Sequence, residues 1–313
     1  MSREFLVLTN CTGRKRSADQ AIALDAEHLA GTLQFAAKHW MRKVNAAPRT
    51  HLAVETYGGR SFAEARRVAS HLDARLHIVS AGLTVVDSTE AVPQYGLTVV
   101  DGANSIRPLL ARLGKKSHDW WDAMLLEFGQ ERSVHALIER NPDATVLIAL
   151  PSSYLSMIAD DLSCLSTDDI DRVRVFSSAR GRLNVCEQIQ RITLPYDDRL
   201  EGSDLPGTRN DFAQRALRHF IENLQGQNLT LLDAHAAVAS AMSKLQLRKK
   251  VIRERKTDLE ISILLRDNWV RFEGSSTRLL RFLRDDSFVA CEQKRFRNLW
   301  LSVRNNLIRG AHI

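Results

Sequence analysis

Along the first two-thirds of the chain, short β-branched and aliphatic runs alternate with segments whose apolar residues recur at helical spacing. Glu4–Asn10, His51–Thr56, Arg75–Ser80, Thr145–Leu150 and Arg172–Ser177 read as strands. The stretches 20–44, 61–72, 104–113, 120–139 and 156–165 between them read as helices. Strand, helix, strand at this spacing predicts βαβ units. The expected fold class is therefore α/β, with a mostly parallel central sheet and helices on both faces. After Pro195 the chain is loop-like through Pro206, a helix is expected over 210–224, and Gly226 marks a boundary. Two domains follow, 1–224 and 225–313.

The second domain reads as helical throughout. Residues 275–286 and 291–307 are two helices separated by the short stretch 287–290. In the latter, Phe296, Leu299, Trp300, Val303 and Leu307 share one face, while Lys294, Arg295, Arg297 and Asn298 face elsewhere. A short turn between two helices, the second basic, fits a helix-turn-helix or winged-helix module as well as a plain bundle with a basic polar face.

Charge sharpens this division. Residues 225–313 hold 17 Lys and Arg against 9 Asp and Glu, whereas the first 224 hold 27 against 28. The whole positive excess lies in the last 89 residues, the distribution of a module that meets phosphate backbones. Nucleic acid is thus the expected partner, with a solvated basic surface as the other reading. At 313 residues the chain is long enough for two cores. The longest apolar runs, such as Val146–Leu150, are too short to cross a bilayer, and the N-terminus enters a strand without signal-peptide features. A cytoplasmic protein without a membrane partner is expected. The four cysteines form no Cys-x-x-Cys pair and the ten histidines no His-Glu-x-x-His, so no metal is expected.

Parallel sheets bind ligands beyond the carboxyl ends of their strands, which directs attention to the segments that follow each strand. These are Asn10-Cys11-Thr12-Gly13-Arg14-Lys15, Tyr57-Gly58-Gly59, Ser80-Ala81-Gly82-Leu83 with Pro93-Gln94-Tyr95, and Pro151-Ser152-Ser153-Tyr154. The first offers small polar groups and two cations but lacks the spacing of a Walker loop. Cys11 reads as a buried small hydrophobe or a nucleophile, with no histidine close in sequence to act as its base. All four tyrosines, Tyr57, Tyr95, Tyr154 and Tyr196, fall in connections beside Gly, Pro or Ser. They could stack on an extruded base or pack at the sheet edge.

These segments in this order resemble an uncharacterised bacterial domain family, over residues 4–220 or so. That family is similar in fold to the uracil-DNA-glycosylase superfamily, and resembles anti-phage DNA glycosylases that excise glucosylated hydroxymethylcytosine. The resemblance implies a DNA glycosylase leaving an abasic site in modified phage DNA, an antiviral role and base flipping. The hydrolytic reaction that it implies needs no cofactor. It places a water-holding residue at Asn10, where a strand-ending turn residue is the other reading. An acid that commonly follows the Pro-x-Tyr tyrosine is Gly96 here, so any duty of that acid would move to Asp87 or Asp101, and a carboxylate from Glu55, Asp87 or Asp101 could serve instead of Asn10 or in addition to it. Thr12, Arg14, Lys15, Tyr57, Gly58, Ser80, Gly82, Tyr95, Ser152 and Tyr154 would contact the base or its flanking phosphates, and Lys294, Arg295 and Arg297 the DNA backbone. A base-exchange or nucleoside-processing enzyme and a nucleotide-sensing DNA-binding regulator are the alternatives.

Overall fold

The computed structural model describes residues 4–13, 21–247 and 253–310, with no side chains considered beyond Leu307. The chain divides into two compact units, 1–247 and 248–313. The first extends past the expected boundary at 224. Helix Leu231–Lys244 buries Ala234, Val238 and Met242 in the core of the first unit, and the Arg174 guanidinium donates to the Leu229 carbonyl. The break thus falls where apolar periodicity ends and the basic run begins.

Among its described residues the first unit has nine strands: β1 (Phe5–Asn10), β2 (Ile22–Ala23), β3 (Arg49–Leu52), β4 (Arg75–Ser80), β5 (Thr84–Asp87), β6 (Ala91–Pro93), β7 (Tyr95–Gly96), β8 (Thr145–Ala149) and β9 (Val173–Phe176). Its central sheet runs β5-β4-β1-β8-β9, parallel throughout except for the antiparallel edge strand β5. Every residue of β1, β8 and β9 is buried. Continuous apolar strands of this kind need cover on both faces, which the flanking helices supply. The expected α/β class with a mostly parallel sheet is what the chain adopts.

Four expected elements differ, one of them the helix expected over 156–165, which is two short helices, Ser152–Met157 and Ala159–Ser163, divided at Ile158. His51–Thr56 is not a central strand: β3 is exposed at all four positions, pairs antiparallel with β6 in a separate two-stranded sheet, and gives way to one helical turn, Ala53–Thr56. The polar sequence Arg-Thr-His-Leu has too little apolar surface for the sheet interior. The helix expected from residue 20 begins at Leu33, because Gly31 takes a left-handed φ of 109° and the Thr32 hydroxyl caps the Phe35 N–H. The single helix expected over 120–139 is broken at Gly129 (φ 103°), and Ser133 caps its successor, Val134–Glu139.

The second unit consists of helices Asp258–Asp267, Ser276–Arg281 (continued by a π-turn over Phe282–Asp286) and Gln293–Gly310. Among the described residues, eight buried apolar side chains form its core: Ile261, Leu265, Leu279, Leu283, Val289, Cys291, Phe296 and Val303. Leu299, Trp300 and Leu307 pack against them, so the predicted apolar face of the last helix is the one that turns inward. Trp300 stacks on Trp269 and donates from Nε1 to the Gly274 carbonyl at 2.9 Å. Its only β-type pairing among the described residues is the single bridge Glu254–Val289.

Candidate functional site

Six segments distant in sequence meet at the carboxyl ends of β1 and β4. The Tyr57 and Tyr95 hydroxyls share a hydrogen bond of 2.7 Å, and the Tyr95 hydroxyl shares another with Ser80 Oγ. Ser80 Oγ in turn accepts from the Gly82 and Leu83 N–H groups at 3.1 Å, which fixes the tight turn from β4 into β5. A side chain at position 82 would lie 2.7 Å from the Tyr95 ring, so only glycine lets that ring seat. Beside this cluster, Cys11 Sγ lies 3.1 Å from the Tyr154 hydroxyl, which Thr98 Oγ1 approaches at 3.3 Å. Thr12 Oγ1 donates to the Gly58 carbonyl at 2.8 Å, joining the end of β1 to the segment that opens helix Arg60–His71.

Asn10 stands at the centre. Its Nδ2 donates to the Cys11 carbonyl at 2.8 Å, and its Oδ1 accepts from Gln214 Nε2 at 2.9 Å. Gln214 also faces Thr9 Oγ1 and the Ala149 carbonyl, each at 3.0 Å, while its own Oε1 is buried with no protein partner. A side chain from helix Phe212–Arg218 thus clasps the ends of β1 and β8. Gln214 was not singled out by the sequence. The available signal was a Gln-Arg pair inside the apolar run Phe212-Ala213-Gln214-Arg215-Ala216-Leu217, where both polar residues prove completely buried.

Of the two readings of the four tyrosines, stacking on an extruded base or packing at the sheet edge, their burial fits the second. Each is at most 3% exposed. Their connections fold back across the sheet end, and Tyr95 itself sits in β7, paired with β2. Burial, followed by the proximity of Cys11, pushes the hydroxyls of Tyr57, Tyr95 and Tyr154 well up, so all three remain protonated near neutrality. They act as internal hydrogen-bonding groups and present no ring face to a base. Tyr196 lies apart, with its hydroxyl 2.9 Å from His219 Nδ1.

The proposed carboxylates are not brought to this cluster by any hydrogen bond. Glu55 is exposed and accepts from the Leu52 N–H within its own helical turn. Asp87 is held by the Thr89 N–H and hydroxyl at 2.8 and 2.6 Å; partial burial pushes its carboxyl up, but those bonds outweigh it and keep the group below its ordinary range. Asp101 is 84% exposed and paired with Arg107. None has the geometry of an acid held at the end of β1. Where the resemblance would place an acid, Gly96 packs against the Asn104 amide, 2.5 Å from where a Cβ would stand.

Of the remaining expected contacts, Ser152 is half-buried at the start of helix Ser152–Met157, and Arg14 and Lys15 lie outside the described residues. In the second unit Lys294 and Arg297 are exposed, with no acidic partner among the described residues. Arg295 is different: it is half-buried, paired with Asp258 at 2.6 Å, and donates to the Lys256 carbonyl. It ties the last helix to the segment preceding Asp258–Asp267. Two surface cavities of about 500 and 510 Å³ both lie elsewhere in the first unit, bordered by Gln94 and Lys43 and by His118 and Asp160 respectively. Among the described residues, no helix is long and apolar enough to cross a membrane. No family description matches the chain, and no curated protein or solved structure does either.

Proposed function

We propose that the chain is a DNA glycosylase, with the reacting edge at the end of β1 and its DNA affinity supplied by the second unit. The observation that carries this reading is the convergence of Asn10, Thr12, Gly58 and Ser80, from three separate connections, on the carboxyl edge of a parallel sheet. That is where such sheets bind ligands. The uncapped N-terminus of helix Arg60–His71, opened by Gly59, adds backbone N–H groups beside Thr12 that suit a phosphate. Hydrolysis of an N-glycosyl bond needs a held water and groups that stabilise an oxocarbenium-like sugar and the departing base. Asn10 Oδ1 keeps a second lone pair for that water after accepting from Gln214. The substrate in this reading is a modified base in phage duplex DNA, glucosylated hydroxymethylcytosine first among candidates, and the role is antiviral defence.

The experiment is incubation of the full chain with DNA carrying glucosylated hydroxymethylcytosine, scoring alkali-labile sites and the released base by mass spectrometry. Asn10→Ala should slow single-turnover excision by about 100-fold, the scale of losing one positioned catalytic group. Gln214 retains Thr9 Oγ1 and the Ala149 carbonyl in that variant, so folding should persist. Full excision by Asn10→Ala would remove it from the chemistry. A second reading, a nucleotide-sensing DNA-binding regulator, is favoured by the closed tyrosine cluster and by the lack of a bonded carboxylate at this edge. It predicts a DNA mobility shift with no abasic sites on any modified DNA.

A further inference from the structure

The first unit carries a second cluster of chemistry-bearing side chains, independent of the edge described above. His118 and Asp122 are four residues apart on helix Ser117–Phe128 and so share a face one turn apart. Asp160, from helix Ala159–Ser163, reaches the same face, with His118 Nδ1 2.8 Å from Asp160 Oδ2. One donor atom from each of the three lies within 4.8 Å of the other two.

The neighbouring acids make the selection clear. Asp119 caps its own helix, accepting from the Lys116 N–H at 2.7 Å and pairing with Lys115. Asp161 accepts from the Val134 and His135 N–H groups and from Trp121 Nε1. Each of these two has a structural task. Asp122 has no hydrogen-bond or salt-bridge partner among the described residues, and Asp160 has only His118 for its carboxylate. Two carboxylates thus face one imidazole, with no lysine or arginine among the described residues bonded to either.

We propose that His118, Asp122 and Asp160 bind a divalent first-row transition cation, with Mn²⁺ as the type case. Metal–donor bonds of about 2.1 Å put adjacent donors about 3.0 to 3.4 Å apart. The His118–Asp160 spacing already lies near that range, and a rotation of the exposed Asp122 side chain brings in the third. One nitrogen and two carboxylate oxygens suit the borderline-hard cations rather than a thiolate-seeking one, and they favour Mn²⁺ over Mg²⁺ through the imidazole. The second observation is the room in front. A cavity of about 510 Å³ is bordered by His118 and Asp160 together with Lys116, Ser156, Ser163, Asn184 and Cys186, so open coordination positions at the first two face a polar volume. Two of the three ligands, His118 and Asp160, border the open volume, which leaves room there for water or a small anionic ligand as the remaining donors.

The test uses the full chain, stripped with a chelator and titrated with Mn²⁺ while the free-ion electron paramagnetic resonance signal is followed. One Mn²⁺ should bind per chain, at least about tenfold more tightly than Mg²⁺ in competition, and should raise the melting temperature. His118→Ala, Asp122→Asn and Asp160→Asn should each weaken binding at least about tenfold, with Asp143→Asn unchanged as an exposed control. Asp122→Asn is decisive, because that side chain is not bonded to the His118–Asp160 pair and only repels the like charge of Asp160: without a metal the change relieves that repulsion, whereas loss of a metal ligand weakens Mn²⁺ binding. Absence of stoichiometric Mn²⁺ binding by the folded chain would overturn the proposal. So would binding that survives in Asp122→Asn. Neither result bears on excision at Asn10, which is read with different DNA substrates and different variants.

Discussion

The two units solve opposite electrostatic problems with similar residues. Residues 248–313 carry 16 Lys and Arg against 8 acids, while residues 1–247 carry 28 against 29. In the larger unit the arginines that matter most are turned inward. Arg215 is completely buried, bonded to Asp211 at 2.7 Å and Glu201 at 2.5 Å, and donates to the Leu205 and Thr208 carbonyls. In the smaller unit, Lys294 and Arg297 project from the last helix with no acidic partner among the described residues. A charge that is fully bonded inside a fold specifies a conformation, whereas one left in water is available to a polyanion. Size reinforces the contrast. A 66-residue unit, with eight buried apolar side chains among the described residues, buries a smaller fraction of its surface than the larger unit, so more of its charged residues stay in water.

The largest effect expected from this comparison is at Arg215. Arg215→Met would leave Asp211, whose side chain is 3% exposed, without its main counter-charge, since Arg60 Nε approaches it only at 3.4 Å. Removing one partner of a buried pair costs about 3–5 kcal/mol. Urea unfolding of the full chain should show the first unit's midpoint fall accordingly. A loss under about 1 kcal/mol would mean that water or Arg60 replaces the guanidinium, and the contrast between inward and outward arginines would weaken.

The second effect is on affinity. Lys294→Gln with Arg297→Gln should weaken DNA binding and reduce the slope of log K against log salt by about 0.9 for each phosphate no longer neutralised, or about 1.8 for the pair. Arg295→Met is the internal comparison. Its pair with Asp258 is 36% and 66% exposed, a setting in which ion pairs contribute about 0–1 kcal/mol, so it should slightly loosen the unit and leave the salt slope nearly unchanged. An equal change of slope in both variants would make Arg295 a phosphate ligand despite its partners.

How much of this was legible in the sequence follows the range of the interactions involved. The strands β1, β4, β8 and β9 were readable because a parallel strand buried on both faces has to be a continuous apolar run. The edge strand β5 was not, since Thr84–Asp87 is short and its pairing rests on the Ser80 turn. Charge asymmetry needs no fold at all. By contrast, a tyrosine beside Gly or Pro reads either as a base-stacking ring or as one packed at the sheet edge, and what decides for Tyr57, Tyr95 and Tyr154 is partners of their hydroxyls 15 to 143 residues away. Gln214 reaches Asn10 across 204 residues, and Arg295 reaches Asp258 across 37. Such partners become visible only once the chain is folded.

The smallest effect, and the finest test of the contrast, is pH. Burial holds the ionisation of His77, His219 and His235 below the ordinary histidine value, opposed at His77 by Asp87 and at His219 by Asp204. All three belong to the first unit, and the described residues of the second contain no histidine. Below about pH 6.5 the unfolded chain takes up protons at these positions while the folded unit resists them. The unfolded state then binds more protons, so stability is fully present above that pH and declines as pH falls, by at most about 1.4 kcal/mol per pH unit for each histidine. Hydrogen exchange on the full chain between pH 7 and 5, corrected for intrinsic rates, should therefore show protection falling in the first unit and staying level in the second. His235→Gln keeps a donor for the Arg191 carbonyl, which His235 Nε2 meets at 2.7 Å, and should remove part of the first unit's slope. Equal slopes in the two units, or a slope untouched by His235→Gln, would place the acid sensitivity in carboxylates rather than in these buried imidazoles.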